Sequence, residues 1–572
     1  MRVVKDGISV RPIVGSHTVL FGFDATPEAR EGLLGFTLGR RKSGAGEIRW
    51  MKGFKFFEET NPHPQPGDSK STRQHPIQDF QWGDYAAEPA TSYDYVVQAV
   101  YGKPSALTYG PEIELDNVKT ANAAGDTHGV YFNRGAIPSQ SFADRFGNVG
   151  PTDEEQNDPA NDKVKWLSRG LLDAALAYIA QANGTKFELR VAAYEFHYMP
   201  ILEALKIAAG TGAKVQICYD AGDRKQNGDI VLDETSEKNV ATIAAAKLAE
   251  TKNLTLHTRC NFSKIPHNKF IVLLEDDKPV QIWTGSTNFT SSGFLGQSNV
   301  AHVIRDPVLA ATYNQYWEKL ASDPETSPFK AFNTKTFPDP VGALAPNAVK
   351  AVFAPRKAGL LEWFADRMDA ANSSVMFTAA FGVANQLVEK FAKDKDFIRF
   401  ILMERPDSNA EAQATLAIDR DTRIALGARL NEETIKLKLK GYALDQWFRE
   451  EEHFRAKGNI FYIHTKIMLI DALSEDPQIY CGSANFSDPS VTGNDENMML
   501  MRGPDFRSVA DIYVNEYMRL FNHLYFRTVA IKLAKEKRGD PRKAAILEPD
   551  DSWVGSYFKS GSYHDRMRNL FR

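Results

Sequence analysis

The sequence Ile265-Pro-His-Asn-Lys-Phe-Ile-Val-Leu-Leu-Glu275, followed by Gly285-Ser-Thr-Asn-Phe289, decides how the rest of the chain is interpreted. A second stretch repeats its pattern: Ile463-His-Thr-Lys-Ile-Met-Leu-Ile-Asp471, followed by Gly482-Ser-Ala-Asn-Phe486. In both copies the asparagine lies 21 residues after the histidine. An internal repeat with matched spacing predicts two structurally related halves.

The repeated pattern resembles the phospholipase D superfamily, whose members carry His-x-Lys, a following Asp and Gly-Ser-x-Asn twice. The second copy matches in full, at His464, Lys466 and Asp471. The first copy matches at His267 and Lys269, with Leu274 where the family has Asp. The resemblance covers residues 163–527 and is specific for the superfamily, but it carries almost no information on the substrate.

The resemblance implies an α/β fold of two pseudo-symmetric halves, each a mixed sheet flanked by helices, with one cleft between them. Strand-length apolar segments alternate with helical periodicity, which by itself predicts a mainly parallel, helix-covered sheet. We place the halves at residues 163–340 and 341–530, followed by a C-terminal tail at residues 531–572. Five prolines between residues 322 and 347 mark the connection between the halves.

Residues 1–122 follow a different pattern, in which short apolar segments alternate with glycines and charged residues. This pattern predicts a β-sandwich-like accessory domain. Residues 92–101 form its clearest strand, which is similar to the later strands of a fibronectin type III-like domain. Residues 123–162 are glycine-rich and then acidic, so we interpret them as a linker. Residues 405–460 are a charged insertion with helical propensity over residues 431–449.

The composition is that of an ordinary globular protein. Of 572 residues, 43% are hydrophobic and 25% are charged, and the formal net charge is −4, so no global positive field attracts nucleic acid. Three widely spaced cysteines make a disulfide framework improbable. The N-terminal residues do not have the pattern of a signal peptide, and no stretch reaches the ~18 apolar residues of a membrane span. We therefore expect a cytoplasmic protein.

The two motifs supply the side chains that phosphodiester chemistry needs. In each copy, His and Lys stand at i and i+2 at the start of a buried strand, so both project from one face. The resemblance implies that the halves bring six of these side chains into one cleft: His267, Lys269, Asn288, His464, Lys466 and Asn485. Lysines and amides stabilise charge on the non-bridging oxygens, while one histidine attacks phosphorus and the other protonates the leaving oxygen. We expect neither a cofactor nor a metal, because Lys and protonated His supply the electrophilic assistance.

A difference between the copies predicts which histidine has which role. Eleven residues after the motif asparagine stands Glu496 in the second copy and Asn299 in the first. In the family, an acidic residue near this position orients the histidine of the other half. The resemblance therefore implies that Glu496 holds His267 as the nucleophile, and that His464 is the general acid. We also include Asp471 among the site residues, although the family uses that Asp mainly structurally.

Leu274 makes the two halves unequal, and a degenerate, non-catalytic first half is an alternative. His197 and Glu195 lie near the end of a predicted strand that faces the cleft in an α/β unit. Both are candidates for the site, beside the interpretation that they are ordinary strand-end residues.

Three functional interpretations follow. The first is a phospholipase D-type hydrolase or transferase that acts on phospholipid headgroups through a phosphohistidine, with peripheral membrane contact. The second is a nuclease or another nucleic-acid phosphodiesterase, which needs a basic groove. Its candidate residues are scattered along the chain: Arg190, Arg224, Lys225, Arg405 and residues 436–440. The third is a non-catalytic scaffold whose N-terminal domain recruits a protein partner. We favour phospholipid over nucleic acid as the phosphodiester substrate.

Overall fold

The computed structural model describes residues 2–65, 68–135, 142, 145–147, 149–224, 228–380, 382–391, 393–405, 420–427, 462–535 and 540–572. Most of the predicted charged insertion, residues 405–460, lies outside these ranges, and its predicted helix over residues 431–449 lies wholly outside them.

Two antiparallel sheets form the N-terminal domain. One contains the strands Val3–Lys5, Ile8–Val14, Val19–Ala25 and Gln81–Asp84; the other contains Gly35–Lys42, Arg49–Trp50, Ser92–Lys103, Ala106–Tyr109 and Ile113–Lys119. Phe21 of the first sheet packs edge-on against Tyr95 of the second, with ring centroids 4.8 Å apart. A short helix, Pro27–Arg30, and a small hairpin, Lys52–Gly53 with Lys70–Ser71, complete the domain. The predicted antiparallel β domain is confirmed, and its likeness to fibronectin type III stays a prediction.

Each half contains a seven-stranded sheet, and both sheets have the same strand order. The first runs His128–Phe132, Val300–Ile304, Lys278–Gly285, Lys269–Glu275, Phe187–Ala193, Lys214–Asp220, Leu254–Arg259. The second runs Ala348–Ala354, Glu496–Arg502, Gln478–Gly482, Ile467–Ile470, Ser374–Ala379, Ile398–Met403, Thr422–Leu426. In each sheet the last three strands are parallel and the other pairings are antiparallel.

The mixed sheets that the resemblance implied are therefore confirmed, while the mainly parallel sheets expected from the alternating pattern are wrong. The physical reason is visible after the first motif strand. Asp276 and Asp277 form a two-residue turn with φ of 49° and 60°, a backbone that connects antiparallel neighbours.

Helices flank both sheets. In the first half they are Asp162–Ser168, Leu171–Ala180, Met199–Gly210, Glu234–Ala245, Pro307–Ala321 and Thr326–Thr336; in the second half they are Leu360–Asp369, Asn385–Phe391, Asp488–Thr492 and Arg507–Lys535. Pro307–Ala321 joins the halves, because Trp317 donates to the Val191 carbonyl and Tyr316 stacks on Phe353, with centroids 4.2 Å apart. Among the described residues, no helix is long and apolar enough to cross a membrane.

Two predicted boundaries differ from the structure. The strand His128–Phe132 lies within the segment predicted as a linker, yet it pairs along its length with Val300–Ile304. The surrounding glycines and acidic residues obscure this short strand in the sequence. The helix Arg507–Lys535 crosses the predicted boundary at residue 530. The tail then packs on the N-terminal domain, where the Trp553 indole donates to the Leu33 carbonyl.

Candidate active site

The two His-x-Lys motifs face each other between the halves. The ring centroids of His267 and His464 are 6.5 Å apart, and the ring planes are inclined by 75°. Backbone contacts fix this approach on both sides. Ser298 forms a β-bridge with Ile463, and in the equivalent position of the other half the Asp495 N–H donates to the Ile265 carbonyl at 3.0 Å. Each motif therefore enters the cleft along a segment of the opposite half.

Glu496 holds His267 from the other half. Its Oε1 and Oε2 lie 3.0 and 2.9 Å from Nδ1 of His267. The carboxylate is itself fixed by Ser483 Oγ at 2.6 Å and by Asn494 Nδ2 at 2.9 Å. An ionised carboxylate only accepts hydrogen bonds, so Nδ1 carries the proton and Nε2 presents its lone pair to the cleft.

Asn299 takes the equivalent place beside His464, but as a neutral amide. Its Oδ1 lies 2.8 Å from Nδ1 of His464 and accepts a second hydrogen bond from Ser286 Oγ at 2.8 Å. The Asn299 amide nitrogen donates to the Gly293 carbonyl at 2.8 Å, which fixes the orientation of the side chain. Both histidines thus carry a proton on Nδ1, but the group that accepts it is a charged carboxylate for His267 and a neutral amide for His464.

The serines of the two Gly-Ser motifs were not predicted as site residues, although the repeat itself marked them. Ser286 and Ser483 each hold the residue that orients the histidine of the opposite half. The preceding glycines allow the strands to approach closely at this point. A Cβ atom would lie 2.2 Å from the Val300 carbonyl oxygen at Gly285, and 2.3 Å from the Asn497 carbonyl oxygen at Gly482.

Both lysines are buried, with 1% of their surface exposed. Lys269 Nζ donates to the His267 carbonyl at 2.5 Å, and Lys466 Nζ donates to the His464 carbonyl at 2.6 Å. Burial lowers the pKa of both lysines, and the carboxylates of Glu496 and Glu195 oppose this shift.

Burial also keeps the two imidazoles neutral. It lowers the pKa of His267 to about 4, although Glu496 raises it. Burial also lowers the pKa of His464 well below its usual range, and Lys466 and Lys269 add to the effect. Burial alone would raise the pKa of Glu496, but His267 and Lys269 outweigh it, so the pKa lies below its usual range and the carboxylate is ionised.

The motif asparagines have different surroundings. Asn288 is buried, its amide nitrogen donates to Glu195, and its Oδ1 has no hydrogen-bond partner among the described residues. Asn485 is half-buried and lines an open cleft of about 280 Å³ in the second half, together with Thr378, Asn385, Ser487 and Asp488. Of the two strand-end candidates, Glu195 lies in the site, whereas His197 contacts the Phe289 carbonyl through its backbone N–H.

The structure does not bring Asp471 to the cleft, so its inclusion among the site residues is wrong. Asp471 follows the far end of the strand Ile467–Ile470. Its carboxylate accepts from the backbone N–H groups of Asn372, Ser373 and Ser374 at 2.7 to 3.1 Å. It therefore caps the start of a neighbouring strand. Leu274 is 1% exposed at the corresponding place in the first half.

Within the described ranges, no group of three or more His, Cys, Asp or Glu side chains is arranged to hold a metal ion. The three cysteines are free and buried.

No curated protein matches the chain by sequence. The family model "Cardiolipin synthase, PLD-like domain" matches residues 178–321, which include the whole first motif.

Several solved structures have a similar arrangement of chain. Phosphatidylserine synthase of Haemophilus influenzae Rd KW20 is 13% identical, with 62% of this chain and 85% of that chain covered and a TM-score of 0.42. The phospholipase D family member Nuc of Salmonella typhimurium is 28% identical over 27% of this chain and 87% of that chain, with a TM-score of 0.20. Polyphosphate kinase of Porphyromonas gingivalis is 10% identical over 59% of this chain and 44% of that chain, with a TM-score of 0.36.

The chain thus spans less than half of the length of that kinase. The family match over residues 178–321 contains one motif, and the second half repeats both the motif and the strand order. Both halves therefore resemble a PLD-like domain.

Proposed function

We propose that the protein is a phosphodiesterase that forms a covalent phosphohistidine on His267. The observation that carries this proposal is the pair of facing imidazoles, one backed by a carboxylate and the other by an amide. A neutral imidazole with Nδ1–H bound to Glu496 has a nucleophilic Nε2, and the carboxylate stabilises the positive charge that develops on the ring. His464 has no such counter-charge, which suits a group that gives its proton away.

In the first step, Nε2 of His267 attacks phosphorus and the bond from phosphorus to the leaving oxygen breaks. His464 gives its Nε2 proton to that oxygen. The negative charge of a bound diester raises the pKa of the buried His464, so this imidazole is protonated when the substrate is present. Lys269 and Lys466 compensate the charge that builds on the non-bridging oxygens.

In the second step, neutral His464 takes a proton from water or from an alcohol. The resulting oxygen nucleophile attacks phosphorus, and the bond between phosphorus and His267 breaks. Water gives hydrolysis and an alcohol gives transfer, so the same residues serve both reactions.

A phospholipid headgroup is the substrate that we favour. The matching family model is described as a cardiolipin synthase domain, and the chain has a net charge of −4. Two arginines considered for a nucleic-acid groove have other partners. Arg190 pairs with Glu188 and Glu318, and Arg224 donates to the Gly228 carbonyl. Lys225 and residues 436–440 lie outside the described residues.

The test compares phosphatidylcholine vesicles, phosphatidylglycerol vesicles, and single- and double-stranded DNA, each incubated with wild type, His267→Ala and His464→Ala. His257→Ala is the matched control, because His257 lies on the same sheet and bonds Gln216 outside the cleft. We expect headgroup release by wild type and His257→Ala, and its loss in the two cleft variants. DNA cleavage without lipid turnover would mean that the substrate is nucleic acid and not phospholipid. Activity on none of these substrates would contradict the proposed function.

A further inference from the structure

Glu195 is a carboxylate in the cleft that the proposed mechanism does not use. It stands two residues after the strand Phe187–Ala193 and accepts a hydrogen bond from Asn288 Nδ2. The strand register pairs Ala193 with Lys269 in the first half and Phe377 with Met468 in the second, so the sequence position equivalent to Glu195 is Phe381. The carboxylate is therefore a feature of one half alone.

The position of Glu195 should weaken the binding of an anion in the cleft. Its amide donor, Asn288, is the group that the family motif directs at a phosphoryl oxygen, so a bound phosphate and Glu195 meet at the same donor. The Glu195 carboxylate and a phosphate bound at Asn288 repel each other, and the repulsion is proportional to the charge of the phosphate ligand. A dianion is penalised twice as strongly as a monoanion.

The charged groups around Glu195 come from several elements. Lys269 belongs to the adjacent motif strand, Lys466 to the opposite half, and Lys238 to the helix Glu234–Ala245. His197 lies in the same loop, and Glu496 faces the same two motif lysines from the opposite half. Burial raises the pKa of Glu195, and Lys269, Lys238 and Lys466 oppose this shift. The lysines do not remove the repulsion between an ionised Glu195 and a second anion at Asn288.

We propose that Glu195 determines specificity at this site, by selecting monoanionic phosphodiesters against dianionic phosphomonoesters. The proposal rests on the proposed function, since it assumes that the cleft binds a phosphodiester. It concerns binding alone, and Glu195 takes no part in bond making or breaking.

The test uses Glu195→Gln, which removes the charge and retains an oxygen that can accept from Asn288. Dimethyl phosphate and methyl phosphate are titrated as ligands at about pH 8, where the monoester is a dianion because its second pKa is about 6. We expect Glu195→Gln to strengthen methyl phosphate binding about tenfold and dimethyl phosphate binding about threefold, since the repulsive energy doubles with the charge. At about pH 5, where both ligands are monoanions, the two gains should become equal.

Glu203→Gln is the matched control, because this half-exposed glutamate lies on the following helix, Met199–Gly210, and pairs with Lys206. Glu195→Ser, which also removes the charge, gives a second measurement if Glu195→Gln fails to fold. It should likewise strengthen methyl phosphate binding more than dimethyl phosphate binding at about pH 8.

Equal gains for both ligands at about pH 8, or no gain in Glu195→Gln, would overturn the inference and leave the phosphodiesterase proposal intact. If neither ligand binds and bis(4-nitrophenyl) phosphate is not hydrolysed, the proposed function fails as well.

Discussion

The two halves share one scaffold and differ at a few side chains. Both sheets have the same strand order, and in both a serine fixes the residue that orients the opposite histidine. That residue is Glu496 for His267 and Asn299 for His464. Duplication thus supplies the geometry, and one carboxylate in place of an amide distinguishes the proposed nucleophile from the proposed acid.

The residues that differ between the halves lie either away from the cleft or in it. Asp471 and Leu274 differ in charge, but both lie away from the cleft, so this difference concerns stability. Glu195 lies in the cleft, and the equivalent position in the sequence of the second half is a phenylalanine. We therefore expect differences between the halves to affect the proposed reaction only where the residues lie in the cleft.

The largest expected effect comes from removing each histidine. His267→Ala should lower kcat on bis(4-nitrophenyl) phosphate by about 10⁴-fold and abolish covalent labelling, because the nucleophile is lost. His464→Ala should lower kcat by about 10²-fold and still form the phosphoenzyme, because 4-nitrophenolate leaves with little help from an acid. Labelling is measured by acid-quench mass spectrometry. Labelling of His267→Ala but not of His464→Ala would exchange the two roles.

Exchanging the orienting residues tests the comparison itself. Glu496→Gln places an amide beside each histidine. It should lower kcat/KM by about 10²-fold, since the imidazolium that develops on His267 loses its counter-charge. Asn299→Asp places a carboxylate beside His464 and raises its pKa. The basic limb of its kcat/KM profile should therefore move to higher pH.

The double variant Glu496→Gln/Asn299→Asp should transfer labelling from His267 to His464. Unchanged labelling of His267 in that variant would mean that something other than this carboxylate sets the roles.

Asp471 and Leu274 should affect stability alone. Asp471→Ala leaves three backbone N–H groups without their acceptor and should lower the free energy of unfolding by about 2 kcal/mol. Leu274→Asp restores the motif in sequence but buries a charge where the leucine is 1% exposed, with a cost on the order of 2 kcal/mol or more. Urea unfolding measures both effects. A large change in kcat of folded Asp471→Ala would place this residue in the reaction after all.

The last expected effect is a pH dependence of stability. The pKa of folded His267 is about 4, against 6.5 for the unfolded chain, so the unfolded state binds more protons between these values. The free energy of unfolding should therefore fall as the pH falls through this window, by about 1.4 kcal/mol per pH unit for each such histidine. His267→Gln should have a shallower slope in urea unfolding between about pH 4 and pH 6.5. An identical slope would show that His267 titrates normally in the folded protein.

The repeat fixed residue identity and spacing together, so the facing arrangement of the two motifs could be predicted from the sequence. His267, His464 and the contact with Glu496 follow from the motifs and their offset. Asp471 was misplaced because a strand rises about 3.3 Å per residue, so five residues carry it to the far end of the sheet. Glu195 was only a candidate, because a strand-end carboxylate reaches the cleft only through tertiary packing.

The errors in the fold have local causes. The strand His128–Phe132 is short and pairs with Val300–Ile304, far along the chain. The residues next to it in the sequence therefore do not predict it. The antiparallel pairing after the first motif depends on a tight turn at Asp276 and Asp277, whereas alternating strands and helices favoured a parallel sheet.

The crossed support of the histidines has a consequence for biosynthesis. A ribosome that has completed the first half has already made His267, but Glu496 is 229 residues further along the chain. Until that carboxylate has emerged and docked, the nascent chain exposes an imidazole with no fixed tautomer and no counter-charge. On the proposed mechanism, His267 therefore acquires its orienting carboxylate only when the second half docks on the first, and we expect a chain that ends before Glu496 to lack activity.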